Sequence, residues 1–200
     1  MYPTIESSVY DIFNAPWNIT NGTVVPETEA IVMKNGGRRV DATYLYADLA
    51  GSSKLAHTMQ KETTARIIRA YVNTAVRILR YHGGEIRSFD GDRVMAIFMG
   101  HSKNNDAVRT ALAINWAVQE VIAPAIEKKW TDVSKNYTIG HGIGIDTGEV
   151  SCCGDFGQRI RLISTLPLPT AGNCSGLRWD AGSRALSGGA GCCKTPRCKR

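Results

Sequence analysis

A chain of 200 residues with 43% hydrophobic content has the size and apolar fraction of one globular domain with a core of its own. It holds no apolar run of about eighteen residues, so no membrane-spanning helix is expected. Its opening Met1-Tyr-Pro-Thr-Ile-Glu6 lacks the regions of a signal peptide, which predicts a cytoplasmic protein. The net charge of +6 does not mark a nucleic-acid or membrane surface: the first 151 residues balance 16 basic against 16 acidic side chains, and the last 49 carry the excess, 8 against 2.

Residues 1–40 read as an N-terminal extension, broken by Pro3, Pro16, Pro26, a polar patch at Asn18–Gly22 and Gly36-Gly37. A short helix is expected near Ser7–Phe13 with Ser8 as its cap, then loop and a short strand at Ala30–Lys34. Asn18-Ile-Thr and Asn21-Gly-Thr match the glycosylation triplet, a coincidence in a cytoplasmic chain.

Residues 41–152 carry regular patterning. A strand at Asp41–Asp48 leads into a short helix capped by Ser52 or Ser53. Ile67, Ile68, Tyr71, Val72, Ala75, Ile78 and Leu79 keep helical spacing over Lys61–Tyr81, and Gly83-Gly84 stops that helix. A hairpin follows, Glu85–Phe89 and Arg93–Phe98, joined at Asp90-Gly91-Asp92. A second long helix is predicted over Asn105–Trp130, burying Val108, Ala111, Leu112, Ile114, Val118, Val121 and Ile122, with Pro124 kinking or dividing it. Tyr137–Ile145 and Glu149–Cys152 read as two strands about an Asp146-Thr-Gly turn. The glycines at 140, 142 and 144 alternate on one strand face, a pattern suited to close approach by a helix or a second subunit. The order is βαββαβ, the ferredoxin-like α+β arrangement of an antiparallel sheet with helices on one face. That fold hosts many functions and selects none.

After residue 152 the patterning stops. Residues 153–200 read as an atypical basic tail rich in Cys and Gly. The six cysteines (Cys152, Cys153, Cys174, Cys192, Cys193, Cys198) show no zinc spacing, and without a signal peptide no disulfide framework is expected.

Two stretches carry chemistry. Tyr44-Leu-Tyr-Ala-Asp48-Leu-Ala-Gly-Ser-Ser53 closes a strand on a carboxylate and turns at once into a helix. Ser88-Phe-Asp-Gly-Asp92-Arg sets a second carboxylate on a hairpin. Taken singly, Asp48 reads as a strand-ending or capping carboxylate and Asp92 as a turn residue. On adjacent strands, the two would hold one or two Mg²⁺ or Mn²⁺ ions, with phosphates filling the other positions. The Leu49 carbonyl would add a hard oxygen ligand, and backbone N–H groups of Ala50, Gly51, Ser52 and Ser53 would cradle phosphates. Asp90 reads as the first turn residue or as a third carboxylate. His57, His82, His101 and His141 form no metal-binding pair.

These stretches resemble class III nucleotidyl cyclases. The match runs through Tyr46-Ala-Asp48-Leu-Ala-Gly-Ser-Ser53, Gly91-Asp92-Arg-Val-Met-Ala-Ile-Phe98 and Gly142-Ile-Gly-Ile-Asp146-Thr-Gly-Glu-Val150, in the family's order. The N-terminal Ile12-Phe-Asn-Ala-Pro-Trp17 and the Val25-Pro segment are most similar to the stand-alone cyclases of bacterial Pycsar antiphage systems, which make cyclic UMP or cyclic CMP. The resemblance implies a class III cyclase catalytic domain and a homodimer with sites at the interface. One subunit would supply Asp48 and Asp92 with two metal ions, and the other the groups that steady base and transition state. The ribose 3′-oxygen would attack the α-phosphate of a nucleoside triphosphate and release pyrophosphate. Purine cyclases of the class carry Lys or Glu four residues before the second aspartate; here Ser88 stands there, beside Arg87. Tyr46 reads either as a stacking or hydrogen-bonding partner for a small pyrimidine or as a core tyrosine. The family's Asn-x-x-x-Arg/Lys helix has its nearest counterpart in Asn173-Cys-Ser-Gly-Leu-Arg178, off by one in spacing. The break after residue 152 therefore reads as a reading-frame change, which resequencing of the gene tests. A pyrimidine cyclase is the expected function. A purine cyclase of the same class, or a nucleotide-binding or dimerisation domain without turnover, are the competing readings.

Overall fold

The computed structural model describes residues 4–24, 36–134, 137–154, 160–164 and 178–179. The strand expected at 30–34 and the Asn173–Leu177 part of the tail motif lie outside them. In chain order the elements are α1 (Ile5–Asn14), β1 (Asn18–Asn21), β2 (Gly36–Ala50), α2 (Ser52–Thr58), α3 (Lys61–Tyr81), β3 (Glu85–Asp90), β4 (Arg93–Phe98) and α4 (Lys103–Ala117). A π-helical turn (Val118–Ile122), α5 (Ala123–Lys129), α6 (Thr131–Ser134), β5 (Gly140–Gly154), β6 (Ile160–Ser164) and β7 (Arg178–Trp179) follow. Two compact units result, residues 1–42 with 148–167 and residues 43–147 with 168–200. Among the described residues, no helix is long and apolar enough to cross a membrane.

In the first unit, α1 starts earlier than expected. Thr4, not Ser8, is its cap, because the Thr4 hydroxyl oxygen accepts from the Ser7 N–H at 3.3 Å. The Asn18–Gly22 patch, expected as loop, forms β1, which pairs in parallel with Gly36–Arg39 of β2. The end of β5 pairs antiparallel with β6.

The second unit carries the βαββαβ order, with strands arranged β3-β4-β2-β5 and β7 pairing β5 at His141 and Gly142. Side chains alternate across a strand, so Leu45, Ala47 and Leu49 of β2 and Val94, Ala96 and Phe98 of β4 share one buried face. Ile67, Tyr71, Ala75 and Leu79 of α3 and Ala107, Ala111 and Ile114 of α4 complete that core. Each large apolar side chain removed from water there contributes roughly 1.5–3 kcal/mol.

Four local expectations change. Gly51, not a serine, caps α2, and no side-chain hydrogen bond closes that end. The predicted helix over 105–130 runs as α4, a π turn and α5 with right-handed helical backbone at both junctions, and Pro124 sits in the first turn of α5, just after the π turn. Its buried stripe is Ala107, Ala111, Ile114, Val118 and Ile122, while Val108, Leu112 and Val121 are exposed. Val108 and Leu112 lie about 100° round the helix from the residues before them, off the core-facing side. Finally, β5 runs without a turn through Asp146-Thr-Gly. There the Thr147 N–H donates to the Asp146 carboxylate at 2.9 Å, and the Thr147 hydroxyl meets that of Thr43 on β2 at 2.9 Å, so the turn-forming residues satisfy each other inside a strand.

Candidate active site

Antiparallel register builds the site. Asp48 of β2 stands opposite Arg93 of β4, and Tyr46 opposite Met95. On the other side of β4, Asp90 stands opposite Arg93 and Ser88 opposite Met95. Directly paired residues share a sheet face, so two rows form on the face away from the helices: Asp90–Arg93–Asp48, and next to it Ser88–Met95–Tyr46. Both residues that the sequence points to for base recognition thus flank one methionine, one row from the first aspartate. Met95 is buried, Tyr46 half-buried and Ser88 exposed.

Asp92 reaches the end of these rows through its turn. Asp90 is still paired, so the hairpin closes on the two residues Gly91-Asp92 rather than on three. Gly91 has φ 61°, a left-handed conformation that a side chain at this position would strain. Further up β3 the ladder slips at Arg87. Ile86 then meets Ala96 and packs on the core, while the Arg87 guanidinium donates to the Glu85 carboxylate at 2.6 Å.

The electrostatics follow from this placement. The Asp48 side chain is 22% exposed and its pKa is raised, first by burial; Asp92 and Asp90 add to the rise and Arg93 opposes it. The Arg93 Nε lies 3.4 Å from the Asp48 carboxylate, an ion pair rather than a well-formed hydrogen bond. Tyr46 is raised by burial, with Arg93 opposing and Asp90 reinforcing. Two phenols to which the sequence assigns no site role sense the same charges: Tyr71 is raised by burial, then by Asp48 and Asp92, and Tyr137 is pushed up to about 12 by burial and Asp92. Their hydroxyls are buried without a hydrogen-bond partner among the described residues. Nothing in their one-dimensional spacing points to the site; Arg93, adjacent to Asp92, could have been found by counting pairs back from the turn.

Asp48 and Asp92 therefore lie near one end of the same sheet, close enough for the charge of Asp92 to add to the rise at Asp48. No group of three His, Cys, Asp or Glu side chains gathers among the described residues. Two carboxylates with phosphate oxygens suffice for Mg²⁺, which keeps few protein ligands, so the residues present fit such ions. Leu49 lies in the same strand end with its side chain buried, and Ala50 is exposed. Gly51 turns the chain with φ 70° into α2, whose first N–H groups have no partner inside the helix. Ser52, Ser53, Gly91 and Asp92 line one groove of about 870 Å³, whereas Tyr46, Asp48, Leu49, Ala50, Gly51 and Ser88 do not border it. His141 belongs to the core instead: it is buried, its Nε2 lies 3.1 Å from the Asn115 side-chain oxygen, and burial pushes its pKa down to about 4. His57 and His101 are exposed and lie apart from it.

No family model matches the sequence. The chain is 41% identical over 148 residues to the uridylate cyclase of Rhodovulum sp. (strain MB263), a stretch that covers 73% of this chain and 61% of the relative. It is 39% identical over 139 residues to the uridylate cyclase of Xanthomonas perforans, covering 69% and 59%. With the uridylate cyclase of Burkholderia cepacia it shares 41% over 149 residues, covering 73% and 63%. The chain thus spans about three fifths of the length of these curated relatives. In structure it is similar to the guanylyl cyclase Cya2, with TM-score 0.56 and 23% identity over 65% of this chain and 66% of that one. The adenylyl cyclase CyaB from P. aeruginosa gives TM-score 0.54 and 23% identity over 64% and 68%. The resemblance to class III nucleotidyl cyclases is borne out, and the fold is that of their catalytic domains.

Proposed function

We propose that this chain, kin in sequence to uridylate cyclases and in fold to class III cyclase domains, is a pyrimidine nucleotide cyclase. It converts UTP or CTP to the 3′,5′-cyclic nucleotide and pyrophosphate, as a cytoplasmic second-messenger synthase of antiphage defence. The observation that carries this reading is the convergence of Asp48 and Asp92 at one strand end, one row from Tyr46 and Ser88.

In the proposed reaction the ribose 3′-oxygen forms a bond to the α-phosphorus. The bond to the β-phosphate oxygen breaks, pyrophosphate leaves, and the hydroxyl proton passes to solvent. Asp48, Asp92 and the Leu49 carbonyl would hold two Mn²⁺ or Mg²⁺ ions, which would supply Lewis-acid activation of the hydroxyl and charge neutralisation for the leaving oxygens. The N–H groups of residues 50–53 hold the phosphates. Tyr46 and Ser88 read a small pyrimidine edge and, in a homodimer with sites at the interface, do so for the partner's metal pair. With Ser88 where a purine edge would need a longer side chain, ATP and GTP leave polar groups unpaired and are disfavoured.

A second reading, binding of metal and triphosphate without turnover, is favoured by the mismatched Asn173-Cys-Ser-Gly-Leu-Arg178 segment. Incubating the purified chain with each of the four ribonucleoside triphosphates and Mn²⁺, then separating products, divides the readings. Cyclic UMP or cyclic CMP is the expected product. A cyclic purine product overturns the pyrimidine assignment, and nucleotide binding with no product favours the second reading.

A further inference from the structure

The groove that begins at Asp92 continues past the residues assigned so far. It passes Ser52 and Ser53 and reaches α3, where Arg69 and Asn73 line it. These two are four residues apart, hence neighbours on one helical face. Ile68 and Val72, packed against the core beside them, hold that face in place. Asp48, Tyr46 and Ser88 do not border it, so of the two carboxylates it is Asp92 that meets the groove. With its α-phosphate at the carboxylates, a nucleotide meets this groove at Asp92, and its terminal phosphates extend along it toward Arg69.

Charge points to the same occupant. Asp48 and Asp92 cancel much of the positive charge that divalent ions bring, so a bound triphosphate stays under-compensated unless the protein supplies a cation. Arg93 is engaged with Asp48. Arg69 is exposed, and no ion pair is found for it among the described residues.

We infer that Arg69, with Asn73 beside it, binds the terminal phosphates of the nucleotide and holds the pyrophosphate as the α-phosphate bond breaks. This rests on the cyclase reading for the direction of the nucleotide. It also gives the site a means to tell substrate from product: UTP reaches Arg69, whereas UMP and the cyclic nucleotide, lacking the β- and γ-phosphates, do not.

Calorimetric titration in Ca²⁺ or Mn²⁺ with UTP, UMP and inorganic pyrophosphate tests it on wild type, Arg69→Ala and Arg69→Glu, with thermal melts to show that the variants fold. Arg69→Ala is expected to weaken UTP and pyrophosphate by roughly tenfold or more, the scale of a charged hydrogen bond, and to leave UMP unchanged. Arg69→Glu weakens both polyphosphates further. Wild-type affinity for UTP and pyrophosphate in Arg69→Ala, or an equal loss for UMP, overturns the inference while the cyclase reading stands. A wild-type chain that holds pyrophosphate through Arg69 yet cyclises nothing bears the anion site out and sinks the cyclase reading instead.

Discussion

At Asp48 stability and function pull in opposite directions. Burial, Asp92 and Asp90 all disfavour its charged form, and Arg93 offsets only part of that. An acid whose folded pKa lies above its unfolded value weakens the folded state once it is ionised, so at neutral pH this carboxylate costs stability. Asp48→Asn is therefore expected to melt at the wild-type temperature or above it in metal-free buffer. On the proposed metal role, Mn²⁺ should raise the melting point of the wild type, as a ligand taken up only by the folded state does, and leave the Asn variant unmoved. Turnover should vanish. Parallel melts with and without Mn²⁺, beside the nucleotide assay, check this; an Asn variant that still cyclises UTP sinks the metal role.

Among the elements, the β3–β4 hairpin carries the most consequence, because its turn holds Asp92 and its rows hold Ser88. Gly91 sits at φ 61°, where an L-residue costs about 1–2 kcal/mol. Gly91→Ala should lower the melting temperature by several degrees and cut turnover by displacing Asp92, while Gly91→Asn, better tolerated in that conformation, should lose less. Melting curves and initial rates of the two variants decide; equal behaviour of Ala and Asn would show that backbone strain is not the cause. Period and turn chemistry made this hairpin, α3 and the strand ending at Asp48 legible in the sequence. The carboxylates, Tyr46 and Ser88 were legible through the motifs they sit in. What escaped depends on partners distant in the chain. Asp146-Thr-Gly reads as a turn until Thr43 is seen across from Thr147. The π turn has no periodic signature, and Arg69 is one more surface arginine on α3 until it is seen to line the same groove as Asp92.

For the molecule as a whole, the proposed sharing of sites between two subunits makes a sharp prediction. Asp48→Ala and Tyr46→Leu chains should each be inactive alone. Mixed and allowed to exchange subunits, they should recover about a quarter of wild-type activity, since half the dimers are mixed and each has one intact site. Activity assays after mixing, with sedimentation to follow exchange, check it; exchange without recovery would place Tyr46 and Asp48 in the same subunit's site.

The slip in β3 has one more consequence. Strike out Arg87, and Glu85-Ile86-Ser88-Phe89-Asp90 alternates without a break, Ile86 and Phe89 to one side and the others to the opposite side. The irregularity thus has the form of one extra residue in the strand, which leaves Arg87 unpaired and Ile86 opposite Ala96. Ser88 and Asp92 keep their register from the turn, so neither moves when that residue comes or goes. This short stretch is where a lineage of such proteins can gain or lose one residue and leave its chemistry in place.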